Sequence, residues 1–370
     1  MGFTAQPSGS IQFLVLFNCA MEIQLKKVAE QYPNNATVLR LVDDRTELSS
    51  YAENPISIKL EAQPFSIRLK EGLEFTSEVL VTALVSNLGV ITFTYTMKIP
   101  AACTLKDLAE ISYMLSKVEC SLQFEINAET QLEKLKEKVG SALQSSMARP
   151  LRQTYVVFAI EKFSEPVLAS KLVAEQRELL AQLIRQEPID WGLSEDAIAD
   201  ALTCRYSWYH DSLVLADRDV AFLTGKCVEQ VMPIIWIAQV QRLELAYLHR
   251  LVSQEHAPEA KRLLEKAEHL DSLPTTLLGF VKVAFRGLWL AVSSPWRFGG
   301  HRGPLSRTLF QASRLEVEAK EMINQAVSAV QFYGDATLAS IYEKLTILYE
   351  FEKTRKSIED FQSGIKSIVQ

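Results

Sequence analysis

The sequence predicts an α+β protein: an N-terminal mixed α/β domain with antiparallel hairpins, then a C-terminal all-helical domain ending in a long antiparallel helical hairpin. Three observations carry this. Runs that alternate apolar and polar residues, separated by turn residues, recur through the first part of the chain. Capped helical segments lie between them. After Gly225 the alternation stops and nearly every segment has helical spacing. The expected divisions are an α+β subdomain at 1–150, a second one at 151–226 packed on it, and a helical domain at 227–370.

Residues 11–17 read as a strand, 22–30 as a short helix and 37–42 as a second strand. Residues 56–60 and 65–69 alternate strictly, so each is a half-buried strand. Residues 79–97 carry no charge, which approaches membrane-span length. Thr82, Ser86, Asn87, Thr92, Thr94 and Thr96 make that span too polar, and Asn87-Leu88-Gly89 is a turn, so the stretch is a hairpin. Thr104 caps a helix to about Lys117, and a second helix runs from about Ala128 to Ser145.

Residues 154–160 form a buried strand. Ser164-Glu165-Pro166 has the pattern of a helix start, predicting a helix to Gln186. Ser194 opens a shorter helix that ends near Cys204. Residues 206–209 enter a strand, and Asp217-Arg218-Asp219 turns a tight hairpin between 213–215 and 220–223. Helices then follow at 234–252, 259–270, 305–332 and 336–369. In the last one, Leu338, Ile341, Leu345 and Leu348 share a 3-4-3 spacing, as do Ile358, Phe361, Ile365 and Ile368. The two sets do not join in one heptad register, which favours a helical hairpin over a long regular coiled coil.

Composition excludes several classes. The 370 residues are 48% hydrophobic and 23% charged, ordinary for a globular chain, so long disordered tracts are not expected. The net charge of −6 disfavours nucleic acid as a general partner and confines any phosphate affinity to a local patch. Five cysteines, an odd count without a CxxC pair, make neither a disulfide framework nor a zinc ribbon and fit a reducing cytoplasm. Residues 13–17 are too short a run for a signal-peptide core.

From Tyr206-Ser207-Trp208-Tyr209 through Val220-Ala221-Phe222, and again at Gln239-Val240-Gln241-Arg242-Leu243-Glu244-Leu245-Ala246-Tyr247-Leu248, the chain resembles a group of uncharacterised bacterial proteins. In layout it is distantly similar to the "required for meiotic nuclear division" family. That resemblance implies an α+β domain, a helix reading roughly Gln-Leu-x-Glu-Leu-x-Tyr, and a helical hairpin. It implies no catalytic residue. Some relatives end in membrane-spanning helices, whereas Lys353, Arg355, Lys356 and Lys366 charge the last helix here.

The strongest functional signal is a basic, aromatic insert. Residues 272–315 contain no Asp or Glu but hold Lys282, Arg286, Arg297, Arg302, Arg307 and Arg314, with Trp289 and Trp296 among several aromatics. Residues 277–292 fit one amphipathic helix with Lys282 and Arg286 on one face. It is too short to span a bilayer, which takes about 20 residues. It suits an anionic surface, where each cation is worth about 1 kcal/mol. The competing explanation is structural: the helix packs on the acidic remainder and its tryptophans are core. The loop 295–304 is rich in glycine but lacks the Gly-Lys-Ser/Thr of a phosphate-binding loop.

Asp211, Asp217 and Asp219 offer carboxylates to a metal, though alternating residues on a hairpin point to opposite faces and Asp is common in turns. His210 with Cys204 and Cys227 would need to converge to form a nucleophilic site. No metal, cofactor or catalytic set emerges. The reading is a non-catalytic cytoplasmic scaffold or adaptor. It presents 277–307 to a protein partner or an anionic membrane surface, through Lys282, Arg286, Trp289, Trp296, Arg297, Arg302 and Arg307. Self-association through the C-terminal helices is the other contact the sequence suggests. The alternatives are an enzyme of unknown class, metal-dependent through the three aspartates, and a nucleic-acid-binding regulator using the basic insert.

Overall fold

The computed structural model describes residues 5–39, 53–68, 74–147, 150–207, 209–250, 336–357 and 359–360. The chain divides into two compact units, Met1–Glu244 with Gln325–Phe351, and Leu245–Asn324 with Glu352–Gln370. In the second unit, Arg355 Nε donates to Glu359 at 2.8 Å and pairs with Glu352 at 3.4 Å on one helical face.

The first unit is α+β, as its alternating segments predict. In chain order it carries β1 (Pro7–Asn18), β2 (Glu22–Ile23), α1 (Leu25–Gln31), β3 (Ala36–Val38), β4 (Ile56–Lys59), β5 (Gln63–Arg68), β6 (Glu74–Val85) and β7 (Val90–Lys98). Next come α2 (Leu105–Ser116), α3 (Val118–Val139), β8 (Leu143–Gln144), β9 (Leu151–Phe163), α4 (Ala169–Glu175), α5 (Arg177–Arg185) and α6 (Glu195–Ala201). Finally come β10 (Arg205–Tyr206), β11 (Leu213–Ala216), β12 (Val220–Thr224), α7 (Val228–Arg250), which continues into the second unit, and α8 (Ala336–Leu348).

Ten strands form one sheet in the order β10-β11-β12-β9-β1-β7-β6-β4-β3, with β5 paired to β6 off this path; β2 and β8 form a separate pair. Strands from both sides of residue 150 therefore share the same sheet. β1 lies at its centre, antiparallel to β7 and β9. The β9–β12 pair is parallel, which needs a long crossover, and α4–α6 supply it.

Alternation assigns the two faces. Ile11, Phe13, Val15 and Phe17 of β1 join the main core with Phe93, Tyr95, Val156, Phe158 and Phe222. The helices α2–α6 cover this face. Phe124 of α3 sits at its middle, 4.7 Å from Phe13, 4.4 Å from Phe65 and 5.1 Å from Tyr95 between ring centroids. An aromatic side chain so enclosed contributes about 1.5–3 kcal/mol by burial alone. The opposite face carries Leu14, Leu16, Thr92, Thr94, Gln153 and Tyr155, and contacts from Trp236 and Tyr349 lay α7 and α8 over it.

Several helix limits differ from the sequence expectation for local reasons. α2 starts as predicted, with a capping box: the Thr104 hydroxyl accepts from the Asp107 N–H at 3.2 Å, and the Asp107 carboxylate accepts from the Thr104 N–H at 2.7 Å. α3, however, begins at Val118, because Lys117 serves both helix ends. Ser164 does not start a helix. Its N–H donates to the Gln6 carbonyl at 2.8 Å and its hydroxyl accepts from the Gln6 N–H at 3.0 Å, so it continues the β1–β9 ladder. The helix expected to run from there to Gln186 begins at Ala169 and is interrupted at Gln176. The last helix, expected unbroken from 336, stops at Leu348, and Glu350 adopts a left-handed φ of 56°.

Candidate functional site

Polar side chains are concentrated where α7 and α8 meet the second sheet face. α7 is buried around most of its circumference, with Ile234, Ile235, Trp236, Val240 and Leu243 enclosed, and so are Gln239, Gln241 and Glu244. Amides without partners would cost about 1–3 kcal/mol each at such positions, so their contacts define the site. Trp236 Nε1 donates to Thr92 Oγ1 at 3.0 Å and ties α7 to β7. The Tyr342 hydroxyl of α8 donates to Gln241 Oε1.

Beside these runs an ordered relay. Gln153 Nε2 of β9 donates to Gln239 Oε1. Gln239 Nε2 donates to the Tyr349 hydroxyl at 2.6 Å. Tyr349 donates to the Tyr155 hydroxyl at 3.2 Å, and Tyr155 donates to the Asp217 carbonyl at 3.2 Å. Gln239, Tyr349 and Tyr155 each donate to one neighbour and accept from another, so strand, helix, C-terminal helix end and turn are held in one register.

The relay ends on the Asp217-Arg218-Asp219 turn, which is also a hub. Asp217 Oδ1 accepts from the Arg218 N–H at 2.7 Å, as turn aspartates do. The Arg218 carbonyl accepts from Arg242 Nη1, which also lies 3.6 Å from the Asp219 carboxylate. The Arg242 guanidinium stands 5.1 Å from the centre of the Tyr349 ring. Arg218 itself pairs with Glu350 at 2.6 Å. Nearby, Lys344 Nζ donates to the Arg205 carbonyl at 2.9 Å over the Tyr206 ring.

The electrostatics of this seam favour neutral groups. Burial holds the Tyr155 and Tyr349 hydroxyls well above the usual tyrosine range, so both stay protonated donors. Burial pushes the Cys204 and Cys227 thiols up to about 11, which leaves little thiolate at neutral pH. It also pushes the Glu244 carboxyl up to about 8.

The three aspartates weighed as metal ligands have local partners: the Asp211 carboxylate accepts from Ser212 Oγ at 3.3 Å, and Asp217 and Asp219 act as described. Among the described residues no three His, Cys, Asp or Glu side chains are grouped to hold a metal ion. The His210 carbonyl is engaged by the Ala169 N–H at 2.7 Å. Lys282, Arg286, Trp289, Trp296, Arg297, Arg302 and Arg307 lie outside the described residues. Sequence reasoning missed Gln153, Tyr155 and Tyr349. The available signal was polar side chains interrupting two otherwise apolar buried segments.

The fold and the seam together define a class: an α+β body whose mixed sheet carries one helix layer on each face, the second layer locked through buried polar contacts. The chain belongs to the family described as "Uncharacterized protein MJ0711, N-terminal domain", which matches it over residues 8–229. The match covers β1–β12 and ends at the start of α7. No curated protein and no solved structure matches the chain. Among the described residues no helix is long and apolar enough to cross a membrane.

Proposed function

We propose that the protein is a non-catalytic cytoplasmic scaffold or adaptor that presents residues 277–307 to a protein partner or an anionic membrane surface. The observation that carries this is the seam. α7 and α8 bracket residues 251–335 in the chain, and one buried network fastens both helices to the same sheet face. A segment tethered at both ends to a rigid body loses less entropy on binding than a free tail. The acid-free composition of 272–315 supplies the contact chemistry. The layout, a mixed domain followed by a helix that contains Gln241-Arg242-Leu243-Glu244-Leu245-Ala246-Tyr247, is also why we place the chain near the "required for meiotic nuclear division" arrangement.

Flotation with vesicles containing phosphatidylserine tests the surface reading. Retention at low salt that is lost at high salt, and lost in Arg297→Glu/Arg302→Glu, supports it. If vesicles retain nothing even at low salt, the membrane version is wrong and a protein partner is left as the contact. If the charge-reversed variant floats as well as wild type, the basic insert is not the contact surface.

A further inference from the structure

We infer that the loop between α5 and α6, which carries Trp191, is a docking surface for a lysine- and arginine-bearing segment of a protein partner. Its contact chemistry is opposite in sign to that of the basic insert.

Side-chain hydrogen bonds hold this loop in one shape. α5 ends at Arg185, and Gln186 turns left-handed at φ 56°, a conformation for which helix ends ordinarily use Gly. Its own amide fixes it there, Nε2 donating to the Ser112 carbonyl at 3.1 Å. Gln182 of α5 is buried, and its Nε2 donates to the Ile189 carbonyl at 3.2 Å and to the Trp191 carbonyl at 3.1 Å. The Trp191 N–H donates to the Pro188 carbonyl at 3.1 Å. Ile189 and Leu193 pack against the main core, and between them Trp191 is 65% exposed. Tryptophan offers the largest apolar area of any side chain, and an anchor already ordered loses little entropy when a partner covers it.

Charge selects the occupant. Residues 186–204 contain five carboxylates and no Lys or Arg. Two of the five are engaged from α5: Glu195 by Arg177 at 2.6 Å and Asp200 by Arg185 at 2.9 Å. Glu187 and Asp196, on either side of Trp191 in the chain, have no cation partner among the described residues. An indole face and unmatched carboxylates attract the same kind of group, a guanidinium or an ammonium. The same acids repel an anionic membrane surface and nucleic acid. A second copy presenting this loop would set like charges against each other.

The test is the fluorescence anisotropy of a fluorescein-labelled peptide of alternating Arg and Ala, titrated with the full chain. Saturable binding is expected, weaker at high salt. Trp191→Ala weakens it roughly 5- to 30-fold, and Trp191→Phe, which keeps a smaller aromatic face, falls between. Because Trp191 is exposed, both variants keep the wild-type urea midpoint. Glu187→Gln/Asp196→Asn also weakens binding. Glu119→Gln/Glu137→Gln, which removes two exposed carboxylates of α3, leaves it unchanged. Absence of saturable binding, or equal affinity for wild type and Trp191→Ala, overturns the proposal. So does an equal loss in the two carboxylate pairs, since the attraction would then belong to the net charge. A wild-type dimer in sedimentation that Trp191→Ala breaks would assign the loop to a second copy and overturn the peptide assignment.

Discussion

Gln239 donates a hydrogen bond of 2.6 Å to the hydroxyl of Tyr349, 110 residues further along the chain. Both side chains are buried, and each has a second partner in the relay. Tyr349→Phe leaves a Gln239 N–H unsatisfied and is expected to cost about 1–3 kcal/mol. Replacing both partners, as in Gln239→Met/Tyr349→Phe, removes donor and acceptor together and costs less than the sum of the single changes. Urea midpoints of the four proteins give the coupling directly. Strict additivity would mean that the bond does not couple the two helices.

Glu244 gives the fold a pH dependence of unusual sign. Burial raises its carboxyl from 4.5 to about 8. Between those values the folded protein keeps a proton that the unfolded chain releases, so stability falls as pH rises through this window. Below about pH 4.5 both states are protonated and no penalty exists; above about pH 8 the penalty is complete. Glu244→Gln is expected to flatten this slope and to stabilise the protein at pH 8 by on the order of a few kcal/mol. Urea titrations at about pH 5 and about pH 8 decide it: an equal effect of the substitution at both values would contradict the assignment.

Gly89 and Gly140 respond oppositely to the same change. Gly89 turns β6 into β7 at φ +83°, and a Cβ there would stand 1.9 Å from the Ala20 carbonyl oxygen. That oxygen is backbone and cannot step aside. Gly89→Ala is expected to lower the melting temperature severely. Gly140, at φ −51° with open space around it, is expected to accept Ala with a gain of about 0.4–1 kcal/mol. Melting temperatures of the two variants check both signs.

Arg242 does three things at once: it donates to the Arg218 carbonyl, lies near the Asp219 carboxylate and stands over the Tyr349 ring. A lysine ammonium keeps the charge but loses the planar stacking and the fork of donors. Arg242→Lys is therefore expected to cost about 1 kcal/mol, with most of the loss vanishing in a Tyr349→Leu background that has no ring. A loss unchanged by that background would assign Arg242 to the turn alone.

What could be read from the chain follows from the range of each interaction. Strands such as Ile56–Lys59 were legible because burial of one face leaves a period of two in the sequence, and the 79–97 hairpin because Asn87-Leu88-Gly89 marks its turn. The α2 start was legible because Thr104 and Asp107 act within one turn. The Ser164 expectation failed because the partner that decides its role, Gln6, is 158 residues away. Likewise, Asp217-Arg218-Asp219 was recognisable as a turn, but its standing as a hub depends on Arg242 and on Glu350, which is 132 residues distant. The pairing within the seam was hidden for the same reason: polar residues in apolar segments can be noticed, but Gln153, Gln239 and Tyr349 carry no local pattern that declares them partners.

The central claim is that α8 is fastened to the sheet through the Gln153–Gln239–Tyr349–Tyr155 relay, and hydrogen exchange of its backbone amides tests this most directly. The account predicts that α8 exchanges as slowly as α7 and together with it, and that Tyr349→Phe accelerates exchange in α8 while β1 and β9 stay protected. Exchange of α8 within seconds in the wild-type protein, beside a protected sheet, would contradict it.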